Sequence, residues 1–387
     1  MADKLTKKEE AAEKKKILKD VFAELDSINT DGAILSESAL SVVDYWIDTG
    51  SYALNAICSG SMFKGIQGGR ICGIIGPSGA GKTLISLKIL GNFQKQDPDR
   101  WGIVFDSEIA VDEQTATSLG ANPKQIKHYP VNTVKECRNQ ILKALDGIIA
   151  NNLQGKFMII VDSLGNLAGD KEVKDAEDGK FASDMGTRAK DIKSLLRVLT
   201  YRAAKAKTTI IFTNHIYSDP MAMFESLVKT QSGGEGPIYM ASLLIQLGFK
   251  RQKNEKDFAE EEVLNIGEKN YGGILMHALT AKNRFIPGLL STDLYLNFRT
   301  GLSKYTGLWD IATSLGVITG QKSYECNGQK IGFRKDIEKD PEIWDKIILP
   351  VLEKEINEKF SFSNESLASK VLLEAAKTPV YNDEEKE

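Results

Sequence analysis

The chain has 387 residues, with 42% hydrophobic and 27% charged side chains, 33 glycines and 10 prolines, which excludes disordered, collagen-like and low-complexity classes. A formal net charge of −3 excludes recognition of nucleic acid by whole-molecule basicity, so any such binding must come from a local patch. There is no apolar run of the roughly 18 residues a membrane helix needs and no signal-peptide core at the N-terminus, which predicts a cytoplasmic protein with no membrane partner. Cys58, Cys72, Cys137 and Cys326 stand singly, without CxxC spacing, and read as buried reduced thiols rather than zinc ligands or disulfides.

In chain order, residues 5–28 repeat apolar side chains at helical spacing (Leu18, Val21, Phe22, Leu25, Ile28) under a charged face, which predicts an amphipathic helix. The turn chemistry of residues 27–32 sets it apart, so residues 1–34 read as an arm whose stripe packs on another chain or on its own core. From residue 70, continuous apolar runs at 71–75, 101–105, 157–161 and 208–212 alternate with helical patterns near 82–95, 113–120, 133–151 and 184–206. Runs buried on both faces and joined by helices predict an α/β fold with a mostly parallel central sheet flanked by helices. Residues 241–247, 273–281 and 293–297 read as antiparallel edge strands around a charged excursion at 250–262. Helical spacing returns over 304–376 (Leu308, Ile311, Leu315; Ile347, Val351, Leu352, Ile356) around a polar, turn-rich stretch at 319–336. The predicted organisation is an arm (1–34), a core (35–303), a small C-terminal domain (304–376) and an acidic tail (377–387), with no fixed-period repeat.

Gly76-Pro77-Ser78-Gly79-Ala80-Gly81-Lys82-Thr83 matches G-x-x-x-x-G-K-[ST] and sits between an apolar strand and a helical run, where a phosphate-binding loop belongs. Its glycines let successive N–H groups wrap a phosphate, and the following helix adds its positive end. Lys82 would neutralise the β- and γ-phosphates and the Thr83 hydroxyl would hold Mg²⁺. Asp162, ending the apolar run Phe157 to Val161, is the candidate carboxylate on the metal side. A group that orients water must stand near the γ-phosphate, and the run ending Phe105-Asp106-Ser107-Glu108 offers two acids between which position alone does not choose. His215, at the end of the fourth strand, could read the γ-phosphate or be a core histidine.

Together with these, the strings Phe105-Asp106-Ser107-Glu108, Val161-Asp162-Ser163-Leu164-Gly165-Asn166, Ser183-Asp184-Met185, Thr213-Asn214-His215 and Gly233-Gly234-Glu235-Gly236-Pro237 resemble the RecA-type recombinases, and among them the UvsX-type recombinases of T4-like bacteriophages, over about residues 35–320. The resemblance implies a RecA-like ATPase core using ATP and Mg²⁺. It implies that Glu108 polarises the attacking water, that Asp162 and Ser163 lie on the magnesium side, and that His215 couples the γ-phosphate to the next loop. It also implies that Lys282 and Arg284 reach across to ATP held by the neighbouring protomer. Asp112 matches an acid that can accept from the adenine amino group. The sequence departs from the family at Thr115, where an aromatic residue usually stacks on adenine.

The family binds single-stranded DNA with loops that here fall at about 165–183 and 216–236. Neither is basic; the second has Lys229 alone against three acids, and Met221, Met223 and Phe224, with Gly233 and Gly234, are the candidates for contact with bases and backbone. Positive charge gathers instead between Arg188 and Lys207, where Lys190, Lys193 and Arg197 share one helical face and are candidates for DNA contact. The implied function is a DNA-dependent ATPase that forms a helical filament on single-stranded DNA and pairs it with homologous double-stranded DNA in recombination, repair and replication. The implied partners include further copies of itself, a recombination mediator and a single-strand-binding protein, with the acidic tail competing for basic surface. The rivals are a hexameric helicase of the same core fold, a P-loop small-molecule kinase and a filament protein that binds ATP without hydrolysing it.

Overall fold

The computed structural model describes residues 20–179, 185–217, 229–232, 234, 236–249, 264–266, 269–271, 273–297 and 300–362. They fall in two compact units, Met1–Asp44 and Tyr45–Glu387. In the first, residues 20–28 are helical, and Val21, Phe22, Leu25 and Ile28 of the predicted stripe are exposed. Leu18 lies outside the described residues. The helix stops where Asn29 captures the chain. Its side chain accepts from the Asp31 N–H at 3.2 Å and its carbonyl from the Gly32 N–H at 3.1 Å, local bonds that compete with helix continuation.

The second unit opens with helix α1 (Tyr52–Ser59), capped by Ser51 and ended by Gly60 in the left-handed region. Its sheet strands are β1 (Ile71–Gly76), β2 (Trp101–Asp106), β3 (Ile126–Pro130), β4 (Phe157–Asp162), β5 (Thr209–Tyr217), β6 (Leu243–Phe249), β7 (Gly273–Asn283) and β8 (Ser291–Asn297). Among the described residues they form a ten-stranded sheet in the order Gly301–Leu302, β8, β7, β6, β1, β5, β4, β2, β3, with Thr230–Gln231 beside β5. Between them run α2 (Lys82–Lys95), α3 (Glu113–Ser118), α4 (Val134–Ala150), α5 (Asp170–Glu177), α6 (Met185–Lys205) and α7 (Gly236–Met240).

Successive strand residues point to opposite faces, and both faces are covered. Ile103, Phe105, Ile159, Val161, Ile210 and Phe212 pack with Ile141 and Leu145 of α4 and Ile192 and Leu195 of α6. Val104, Met158, Ile160 and Ile211 pack on the other face with Ile85, Leu87 and Phe93 of α2. Each such side chain contributes about 1.5–3 kcal/mol on full burial, which explains why these strands announce themselves as unbroken apolar runs.

Three features differ from the expectations. β3 carries no apolar run, because it is the sheet edge and four of its five residues are exposed. The strand at 241–247 is not an antiparallel edge: β6 lies inside the sheet, parallel to β1 and antiparallel to β7. β7 and β8 are antiparallel. The stretch 319–336 is not merely turns but holds most of a three-stranded antiparallel sheet, Ile318–Gly320, Tyr324–Cys326 and Gln329–Gly332. Asn327 (φ 50°) and Gly328 (φ 79°) make its two-residue hairpin turn. Its Ile318, Cys326 and Ile331, with Trp344, Leu352 and Ile356, join the same apolar cluster as Leu54 and Ile57 of α1.

The four cysteines are buried, and burial pushes their thiols up, so they stay protonated. Among the described residues no helix is long and apolar enough to cross a membrane. Residues 250–263 and the tail 377–387 lie outside the described residues.

Candidate active site

Parallel pairing sets the strand tips in one row: Gly76 of β1 faces His215 of β5, and Asp106 of β2 faces Asp162 of β4. The loop after β1 turns through Gly79 (φ 76°) and Gly81 (φ 80°), conformations that side-chain-bearing residues resist. Gly81 is the N-cap of α2 and supplies no side-chain acceptor, so the first N–H groups of α2 and its positive end have no side-chain partner at the cap. Lys82 is almost buried at 7% exposure, and its Nζ donates to the carbonyls of Gly76 (3.1 Å) and Pro77 (2.9 Å). Desolvation lowers the pKa of this ammonium, while the charges of Glu108 and Asp162 pull it back up.

Thr83 Oγ1 donates to Asp162 Oδ2 at 2.6 Å, and the Thr213 hydroxyl donates to Asp162 Oδ1. Burial raises the Asp162 pKa and the two hydroxyl donors oppose that rise. A hydroxyl and a carboxylate joined at the foot of a phosphate loop form an oxygen donor pair suited to a hard divalent cation. Among the described residues no group of three or more His, Cys, Asp or Glu side chains forms a metal cluster.

The two acids at the C-terminal end of β2 have different employment. Asp106 is fully buried, and its oxygens accept the backbone N–H groups of Glu108 (3.0 Å), Ile109 (2.7 Å), Ala110 (3.0 Å) and Val111 (3.1 Å). It also takes His128 Nε2 at 3.1 Å. That ring of bonds holds Ile109 at φ 53°, a left-handed conformation that costs a β-branched residue about 1–3 kcal/mol. Glu108 is thereby presented outward, with its side chain 31% exposed. Its Oε1 accepts from Ser163 Oγ at 2.6 Å and lies 3.1 Å from His215 Nε2. Ser107 locks the two strand tips together, accepting the Ser163 N–H at 3.0 Å and donating to the Ser163 carbonyl at 2.9 Å.

Both segments that leave this row are tied to it. Asn214 is buried; its Nδ2 donates to Gln231 Oε1 (3.0 Å) and the Ser232 carbonyl (2.8 Å), and its Oδ1 accepts the His215 N–H (3.0 Å). A Cβ at Gly165 would stand 2.8 Å from Asn214 Oδ1, so a larger residue there would press on the amide that ties the second segment. Arg188 of α6 donates from Nε to the Leu167 carbonyl at 2.7 Å and from Nη2 to the Gly165 carbonyl, with Ser232 Oγ at 3.5 Å. It is half-buried and joins the foot of one segment to the end of the other, a role not visible in its place at the start of the basic stretch Arg188 to Lys207.

A sequence model of the RecA N-terminal domain matches residues 16–283. The chain belongs to the RecA family. It is 31% identical over 271 residues to the recombination and repair protein of Enterobacteria phage T4, covering 70% of this chain and 64% of that protein. It is 28% identical over 306 residues to protein RecA of Leptospira biflexa (76% and 72% covered) and 26% identical over 349 residues to protein RecA of Aquifex aeolicus (88% and 92% covered). The chain therefore spans just under two thirds of the length of the phage relative.

The remaining candidates of this RecA-family chain lie apart from the phosphate row. Lys282, next to the end of strand β7, donates from Nζ to the carbonyls of Ile238 and Tyr239, each at 2.7 Å, and Arg284 Nη2 donates to the Tyr239 carbonyl at 3.0 Å. Both cations thus sit on the C-terminal carbonyls of α7. Desolvation, and secondarily Arg284, holds Lys282 down to about 8. Asp112 caps α3: its oxygens accept the Thr115 N–H (2.9 Å) and hydroxyl (2.6 Å), which lower its pKa. Lys190, Lys193 and Arg197 are exposed on α6 while Ile192, Leu195, Leu196 and Leu199 are buried. The Lys229 N–H donates to Gln246 Oε1 at 2.8 Å, and Gly234 turns at φ 71°. Met221, Met223, Phe224 and Gly233 lie outside the described residues. A separate cleft of about 390 Å³ is lined by residues including Asp112, Lys124 and His128, not by the phosphate-loop residues.

Proposed function

We propose that this chain is an ATP hydrolase stimulated by single-stranded DNA, which assembles on that DNA as a helical filament and carries out homologous pairing and strand exchange in the cytoplasm. The observation that carries the proposal is the hydrogen-bonded row of Thr83, Asp162, Ser163, Glu108 and His215, tied through Asn214 and Arg188 to both segments proposed to meet DNA. A kinase acting on a small molecule has no need of that second connection.

The residues fit ATP and Mg²⁺. Gly79 and Gly81 free the loop to wrap phosphate oxygens, and Lys82 sits at its centre as a compensating charge. Thr83 and Asp162 would hold Mg²⁺, which when bound spreads the negative charge of the β- and γ-phosphates. Glu108 would orient and polarise the attacking water, Ser163 fixing one of its oxygens. His215, on the same oxygen, would pass the state of the γ-phosphate side to the segment that follows it. Lys282 and Arg284 would serve the ATP of an adjoining copy, supplying positive charge where it develops in the transition state. A contact of this kind repeats head to tail and, where it does not close, gives a helical filament. The exposed stripe of Val21, Phe22 and Leu25 supports an arm that docks on a neighbouring copy. A mediator and a single-strand-binding protein are proposed as further partners.

Phosphate release with and without single-stranded DNA tests the proposal, with electron microscopy of the assemblies beside it. Stimulation by DNA and extended filaments are expected. Hydrolysis indifferent to DNA, or discrete rings, would overturn it.

A further inference from the structure

The loop that carries Glu108 is knotted on one buried carboxylate. Each oxygen of Asp106 accepts two backbone N–H groups: Glu108 and Ile109 on Oδ1, Ala110 and Val111 on Oδ2. The knot holds Ile109 at φ 53°, so the loop relaxes readily if the knot loosens. One side chain also reaches it. His128, on the edge strand β3, brings Nε2 to 3.1 Å from Asp106 Oδ2. Because both oxygens already accept, Nε2 is the donor.

Packing does not account for an imidazole at this position. The side chain is 35% exposed, its neighbours Lys127 and Tyr129 are exposed, and its outer side lines the 390 Å³ cleft. What the position uses is the N–H. Parallel pairing of β2 and β3 sets Val104 opposite His128 and Asp106 opposite Pro130, so the ring stands two residues behind the carboxylate on the same side of the sheet.

We propose that His128 is a positioning residue for hydrolysis: through Asp106 it fixes the strained loop that aims Glu108 at Ser163 and His215. The proposal rests on the reading of Glu108 as the group that polarises water. Loss of the donor weakens Oδ2, lets the Ile109 turn relax and draws Glu108 out of line. The Lys82 bonds and the Thr83–Asp162 pair do not involve His128, so nucleotide binding persists.

The test measures DNA-stimulated ATP hydrolysis of the full chain, the KM for ATP, binding of a fluorescent ATP analogue, and the melting temperature. His128→Ala is expected to lower kcat roughly ten- to hundredfold, the scale of a slightly misplaced catalytic group, with KM and analogue binding within about twofold. His128→Gln, which can present an N–H near the place of Nε2, restores most of the rate. Adding His128→Ala to Glu108→Gln produces no further loss, since both act at one step. Where His128→Ala does not fold, His128→Leu, which keeps bulk without a donor, takes its place.

An unchanged kcat in the donor-less variants overturns the proposal, as does a loss carried by KM, an equal loss in His128→Gln, or a multiplicative loss on top of Glu108→Gln. The two levels separate cleanly. Normal hydrolysis by Glu108→Gln removes the reading of Glu108 itself, whereas an inactive Glu108→Gln beside a fully active His128→Ala removes only the role of His128.

Discussion

The phosphate row and the Lys282–Arg284 corner are built on opposite principles. In the row, the polar groups find partners on a different element or the loop after it: Thr83 of α2 meets Asp162, Ser163 meets Glu108, and Ser107 joins two strand tips. At the corner, two cations share the carbonyl end of the short helix α7, with no carboxylate, among the described residues, in the hydrogen bonds they make there. Helix C-termini attract cations, yet here the attraction gathers like charges, and Lys282 loses part of its proton affinity to desolvation and to Arg284. In the proposed function, the row is the half of the site that grips the nucleotide. The corner holds two cations on neutral carbonyls, and among the described residues their hydrogen bonds reach no carboxylate.

Breaking the row should have the largest effect. Lys82→Ala removes the charge at the centre of the loop, and DNA-stimulated phosphate release should fall on the order of a hundredfold or more. Asp106→Ala strips the acceptor from four backbone N–H groups of a loop whose residues are exposed or half-buried. At about 1–3 kcal/mol for each group left unsatisfied, the urea midpoint should drop by an amount equivalent to roughly 3 kcal/mol or more. Retention of the wild-type midpoint would mean the Asp106 knot does not hold the loop.

The corner should titrate. With Lys282 held down to about 8, its charge is lost as pH rises through that value, so filament hydrolysis should decline above it, and Lys282→Arg should keep its rate to higher pH. The folding consequence has the opposite sign. Between about 8 and the ordinary lysine range the unfolded chain binds more protons at this group, so its contribution to stability improves as pH rises. The smallest effect belongs to the exposed face of α6. Lys193→Ala should weaken DNA binding only a few-fold and flatten the salt dependence by about 0.7 in logarithmic slope, read by fluorescence anisotropy across a salt series.

What the sequence made legible follows from burial. Strands β1, β2, β4 and β5 are unbroken apolar runs because helices cover both faces, and the phosphate loop is legible because glycine is needed at Gly79 and Gly81. Strand β3 gave no signal, being an exposed edge, and with it His128 went unseen: one histidine among exposed residues says nothing of a carboxylate two strand positions ahead on a neighbouring strand. The position of β6 could have been read. Leu243 to Ile245 are buried on alternating faces, the pattern of an interior strand. Asn327-Gly328 between Cys326 and Gln329 is likewise the dipeptide of a two-residue hairpin, and it marks the small sheet that composition alone rendered as turns. Asp106 and Glu108 could not be told apart by position, because the difference lies in four backbone N–H groups that turn toward one and not the other.

The central claim is that the row of one subunit hydrolyses ATP with the corner of the next. Mixing Lys82→Ala subunits with Lys282→Ala subunits on single-stranded DNA addresses it directly. Each alone should be nearly inactive, and the mixture should regain hydrolysis wherever an intact row adjoins an intact corner. A mixture whose rate never exceeds the sum of its two components, although both assemble on the DNA, would contradict the account.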